Sequence, residues 1–209
     1  MGLREDKKQR TRQEIAETAM RLFVMHGFDQ VTVAEVAAEA HVSEKTVFNY
    51  FPTKEDLFFD EVPQRQAALV AAVRDLRPGE SLLTALHRLQ HEQCSRLANP
   101  GFAVFARIIE DSPALRAKEL EVMAEFSRVL NEAIQAELGV PERDARIVAG
   151  LLVSVHRHFF RLARQQALQG KHGPGAVRRL RADLDRAYDL LEHGLAGFGR
   201  PAEAALSSS

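Results

Sequence analysis

An all-α fold follows from three observations on this 209-residue sequence. Ala, Leu, Arg and Glu dominate and Trp is absent, no run of alternating β-branched residues occurs, and helix-start signals recur at short intervals. The first helix is expected over residues 11–27. Thr11 and Glu14 have capping-box spacing, Ile15, Ala19, Leu22, Phe23 and His26 form one stripe, and Gly27 ends it. Thr32, with Glu35 three residues on, starts the second helix, which turns Val33, Val36, Ala37 and Ala40 inward. Ser43 caps a short third helix over residues 44–49. Val47, Tyr50 and Phe51 are expected to be buried, which leaves Lys45, Thr46 and Asn49 outward. The fourth helix starts after Thr53, with Asp56 as the answering acid, and runs toward residue 76. Pro63 inside it should kink or restart it, because proline removes a backbone donor and clashes with the preceding turn.

The remaining helices form a larger unit. A leucine-rich helix is expected over residues 81–98 and a short one over 102–110. Ser112 then caps a long helix with Pro113 at its first position, ended by Gly139. Residues 142–168 form an eighth helix, 170–175 a loop, and 176–198 the last helix. The resulting division is a head at residues 1–56, a body at 57–200 and a disordered tail at 201–209.

Composition bounds the function. Net charge is −1, and Cys94 is the single cysteine, so no intramolecular disulfide forms. No apolar run reaches membrane-span length, and the first residues lead into charge, so a cytoplasmic location and no membrane partner are expected. Positive charge gathers early, in Arg4, Lys7, Lys8, Arg10 and Arg12, either as a simply solvated N-terminus or as a mobile arm able to reach phosphates or the minor groove. The segment after it is not basic: Glu35, Glu39, Glu44, Glu55 and Asp56 offset Lys45 and Lys54. There is no Gly-rich phosphate loop, HExxH, G-x-S-x-G or Glu-x-x-His, so no enzyme and no cofactor is expected.

Residues 31–57 carry the functional signal. Three helix starts and one tight turn put short polar residues outward on a stubby helix, the arrangement of a helix-turn-helix that enters a DNA groove. Lys45, Thr46 and Asn49 are placed for base readout, since Asn bonds adenine bidentately and Lys donates to guanine. The segment resembles the tetracycline-repressor (TetR) family of bacterial regulators. The likeness runs through Thr11-Arg12, Leu22-Phe23, Gly27-Phe28, Thr32-Val33, Val36-Ala37, Val42-Ser43, Thr46-Val47-Phe48, Tyr50-Phe51 and Lys54-Glu55-Asp56-Leu57. Two positions depart: His41 and Lys45 stand where the family commonly has Gly. The resemblance implies phosphate contacts from Thr32, Ser43, Tyr50 and Lys54, with Arg12 from the arm. It also implies a palindromic operator read by a homodimer, with half-sites about 34 Å apart or a multiple of that.

In the body, the resemblance implies an effector cavity walled by the fourth to eighth helices. A small apolar or aromatic effector is expected among Phe102, Phe105, Met123, Phe126 and Phe159, its polar handle held by some of His87, His91, Arg107 and His156. His156 also has a plainer reading, as one inward, hydrogen-bonded histidine. Dimerisation is expected through the last two helices. Val148, Leu151 and Leu162 widen the apolar surface of one, and Val177, Leu184 and Leu191 recur every seven residues in the other, with Tyr188 beside them. Alternatives stay open. His87, His91 and Cys94 lie at i, i+4 and i+7, as ligands of a metal-responsive regulator would. A helical enzyme with a similar head and a constitutive architectural dimer are the other readings.

Overall fold

The structure is a computed structural model and describes residues 3–194. Among these residues it is all helical, with ten helices: α1 (Leu3–His26), α2 (Val33–Glu39), α3 (Glu44–Tyr50), α4 (Lys54–Phe58), α5 (Val62–Arg74), α6 (Leu82–Leu97), α7 (Gly101–Asp111), α8 (Pro113–Leu138), α9 (Glu142–Leu168) and α10 (Gly173–His193). The expected end of the last helix at residue 198 and the tail at 201–209 lie outside the described residues.

Local chemistry accounts for most boundaries. The Thr32–Glu35 box closes in both directions, with Thr32 N–H donating to Glu35 Oε2 (2.7 Å) and Glu35 N–H to Thr32 Oγ1 (3.2 Å). Thr53 and Asp56 repeat it at α4, and Ser43 and Ser112 cap α3 and α8. After α2 the chain turns through His41 at φ 54°, with His41 N–H donating to Ala38 O and Val42 N–H to Ala37 O. That is a Schellman closure with histidine in the left-handed position usually held by glycine. Thr11 starts no helix. It lies inside α1, which begins eight residues earlier, so Lys7, Lys8 and Arg10 stand on a helix rather than in a mobile arm. Pro63 does more than kink: α4 stops at Phe58 and α5 restarts with the proline in its first turn, leaving residues 59–61 as a joint. That restart makes ten helices from the nine expected.

Two buried clusters organise the molecule. The first packs Ile15, Phe23, Val36, Val47, Phe51, Leu57 and Phe58 of α1–α4 together with Ile108, Ile109 and Leu115 of α7 and α8. The second packs α5, α6, α8, α9 and α10 around Leu86, Leu130, Ile134, Leu152, Phe159 and Leu180. Because the first cluster takes in α7 and the start of α8, the head and the body share apolar contacts. Polar ties cross the same boundary: Ser112 Oγ donates to Asp29 at 2.6 Å, and Lys118 Nζ meets Asp56 at 3.0 Å. Burial raises the Asp56 carboxyl, but hydrogen bonds from Thr53 and Lys118 outweigh it and hold it below the usual range.

The seven-residue seam of α10 is corrected by the fold. Leu184 and Tyr188 are buried within the single chain, against α6 and α9, and Gln90 Nε2 donates to the Tyr188 hydroxyl at 2.8 Å. A heptad stripe serves any helix–helix contact, and here its partners are in the same chain. The exposed apolar side chains of this region are instead Ile147 and Leu151 of α9, 59% and 51% accessible.

Candidate functional site

The outward face of α3 is set by what its other face buries. Val47 and Phe51 are inserted in the head core, which turns Lys45, Phe48 and Asn49 to solvent. Positions i, i+3 and i+4 share one side of a helix, so these three form a single surface. Thr46 is half-buried, and its hydroxyl lies 2.8 Å from Ser43 Oγ, so part of its bonding closes the helix start. Phe48, expected nowhere in particular from the sequence, is 47% exposed. Its signal was its place three residues after Lys45.

The other residues expected on DNA are partly engaged elsewhere. Thr32 Oγ1 is bonded to Glu35, whose carboxyl is held low by the Thr32 backbone N–H and hydroxyl. Ser43 caps α3 and Tyr50 is half-buried. Lys54 Nζ sits 4.3 Å from the Phe28 ring centre, and burial lowers its pKa against the pull of Asp29 and Glu55. Arg12 stacks 4.4 Å from the Phe51 ring centre and donates to the Asp60 carbonyl at 3.2 Å. It therefore ties α1 to the joint, whatever else it touches.

The joint opens onto a cavity of about 400 Å³. Met20, Phe58, Phe59, Phe102 and Phe105 supply its apolar wall, and Asp60, Glu61, Arg65 and Arg96 its polar side. Phe58 of the head stacks on Phe105 of α7 at 4.5 Å between ring centres, and Phe102 continues the stack. Glu61 pairs with Arg65 (3.0 Å) and Arg96 (2.9 Å), pairs that outweigh burial and keep its carboxyl low. Asp60 moves the other way, raised first by burial and then by the neighbouring Glu61 charge.

A second, smaller cavity of about 30 Å³ lies inside the body between α5, α6, α8 and α9. Phe126, His156, Leu152 and Gln90 line it, and Gln90 Oε1 has no hydrogen-bond partner among the described residues. Burial, aided by the Arg65 charge, pushes the His156 imidazole down to about 4, so it is neutral near pH 7. Arg65 borders both cavities.

The expected effector residues are thus divided. Phe102 and Phe105 meet at the joint, Phe126 and His156 in the body cavity, and Met123 in an open cleft between α8 and α9. Phe159 is core, and Arg107 is exposed on α7 and borders neither cavity. His87 bonds Asp185 at 2.7 Å and lies against the Tyr188 ring, and the His91 ring stands 5.7 Å from it. Cys94 is fully buried, its thiol raised by burial. Among the described residues no three His, Cys, Asp or Glu side chains converge as metal ligands, so the metal-responsive reading has no geometric support. Phe58, Phe59, Asp60 and Glu61 were missed by sequence reading. The Phe-Phe-Asp-Glu run just before Pro63 was the available signal.

A capped helix-turn-helix with an exposed polar face, on a helical body that holds cavities, defines the one-component helix-turn-helix regulators. Residues 15–60 match the model for bacterial regulatory proteins of the tetR family. The chain is 28% identical over 147 residues to the HTH-type transcriptional regulator TcmR of Streptomyces glaucescens, a match covering 66% of this chain and 65% of TcmR. It is 26% identical to the HTH-type transcriptional regulator BetI of Agrobacterium fabrum, over 76% of this chain and 80% of that one. Among solved structures it is similar to FadR of Thermus thermophilus, a TetR-family transcriptional repressor in complex with lauroyl-CoA. That likeness has a TM-score of 0.54 and 28% identity, and covers 92% of this chain and 98% of FadR. The family match over residues 15–60, the regulator relatives and the FadR likeness all indicate the TetR family of transcriptional regulators.

Proposed function

We propose that this protein is a homodimeric, ligand-responsive repressor that binds a palindromic operator and is released by a small apolar or aromatic effector. The observation that carries the reading is the face of α3, where Lys45 and Asn49 stand side by side on a helix whose rotation is fixed by buried Val47 and Phe51. Lys45 and Asn49 read bases, and Thr46 contributes from the helix start. Thr32, Ser43, Tyr50, Lys54 and Arg12 position the backbone. Residues 1–56 act as the DNA-binding unit and 57–200 as the sensing and dimerising unit. The reading places the protein in the cytoplasm on nucleoid DNA, and it assigns no catalytic residue.

Effector binding is assigned to the aromatic cleft at the joint. A ligand there meets Phe58 of the head and Phe102 and Phe105 of the body at once, so its binding energy depends on how the two units sit. Linkage then makes effector and operator antagonists, typically by about 1–3 kcal/mol. The FadR relative carries lauroyl-CoA, whose acyl chain supports an effector with an apolar part for this chain. Dimerisation is assigned to the outer side of α9, at exposed Ile147 and Leu151, with half-buried Val148 and Leu162 of the same helix.

Selection of duplexes from a random-sequence pool tests the reading. The expected product is a dyad-symmetric site, bound by a dimer and released on titration with apolar or aromatic compounds. Enrichment of no sequence would overturn it.

A further inference from the structure

We propose that Phe48 reads the 5-methyl group of thymine in the operator. The inference rests on the DNA-binding reading above and adds a base contact to it. Three observations carry it. Phe48 is 47% exposed in a head whose other phenylalanines on α1, α3, α4 and the intervening turns are packed into or against its core. Among the described residues no aromatic ring stacks on it. It shares the outward face of α3 with Lys45 and Asn49, at the i+3 and i+4 spacing that makes the three neighbours.

Isolated exposed apolar side chains are ordinary on a protein surface. Phe48 differs in its place: it lies within the polar face that meets the groove, where a polar residue would cost nothing in the free protein. The helix cannot rotate to bury it without withdrawing Val47 and Phe51 from the core. In the major groove an A·T pair presents the adenine N6 and N7 edge beside the thymine methyl, the one apolar group among the base edges. Asn49 suits the adenine edge and Phe48 the methyl, so one A·T step, or two adjacent ones, satisfies both.

The test uses the duplex selected by the full chain, with each dT replaced in turn by dU, which keeps pairing and removes only the methyl. Binding is read by fluorescence anisotropy at fixed salt. At one dT position per half-site the substitution is expected to weaken wild-type binding about fourfold per half-site, the scale of burying one methyl group. Phe48→Ala is expected to bind the dT duplex about that much more weakly and to lose the difference between dT and dU, with unchanged circular dichroism. Phe48→Leu, which keeps an apolar contact, retains part of the difference. A selected duplex with no dU-sensitive position, or Phe48→Ala keeping the wild-type dT/dU ratio, overturns this proposal while leaving operator recognition intact. Failure to select any duplex overturns both.

Discussion

His41 holds a left-handed backbone position that favours glycine, and this has a measurable cost. Its backbone is left-handed at φ 54°, its side chain is exposed, and it closes α2 by the Schellman pattern. Left-handed backbone costs a side-chain-bearing residue about 1–2 kcal/mol, less for histidine than for a branched residue, and glycine gives back part through a freer unfolded chain. His41→Gly is therefore expected to stabilise the protein by about 0.5–1 kcal/mol in chemical denaturation, with helicity unchanged. His156 has the opposite relation to its surroundings, since burial depresses its folded pKa to about 4. A depressed histidine contributes full stability above its unfolded pKa and loses it as pH falls from there toward the folded value. Between pH 7.5 and pH 5 the loss is about 2 kcal/mol, and His156→Gln should remove that part of the acid slope. The reading of His156 as inward was available from sequence, because it follows Leu152 by one helical turn and precedes Phe159. Arg12 was not readable in this way. Its ring stack on Phe51 and its bond to the Asp60 carbonyl join residues 39 and 48 positions away, which no local pattern reports.

At the level of elements, caps and breakers were legible because their chemistry is local. The Thr32 and Thr53 boxes, Ser43, Ser112 and Gly139 all mark the helix ends they were expected to mark. Thr11 fails for the same physical reason that makes a box work. A capping residue needs a non-helical backbone, and nothing before Thr11 interrupts the helix that begins at Leu3. The α10 seam shows the limit of periodicity, which gives the face that is buried but not the chain it is buried against. Leu184 is inside its own body, so Leu184→Glu is expected to unfold that body, with a loss of several kcal/mol, rather than release folded monomers. A charge pair on the outer side of α9, Ile147→Glu with Leu151→Glu, is expected to give a folded monomer with unchanged helix content. Light scattering beside circular dichroism distinguishes the two outcomes. A double variant that remains dimeric would move the interface away from this side of α9.

For the whole molecule, the residues that make the α3 face were written in the sequence, but the joint between head and body was not. The head core closes only with Ile108, Ile109 and Leu115, and the ties Asp29–Ser112 and Asp56–Lys118 cross the same boundary. In the proposed dimer, this continuity would let an event in the body bear on the spacing of the two heads. With net charge −1, the proposed operator binding is expected to draw its affinity from local contacts doubled by a dimer, rather than from a general basic field. The most direct measurement is the ratio of affinities for the selected duplex and for random DNA, by anisotropy at fixed salt, for wild type, Thr46→Ala and Asn49→Ala. Asn49→Ala is expected to lose about 1–3 kcal/mol of discrimination with the dimer intact, and Thr46→Ala less, because its hydroxyl is shared with the Ser43 cap. Discrimination unchanged in Asn49→Ala would contradict the assignment of α3 as the reading helix.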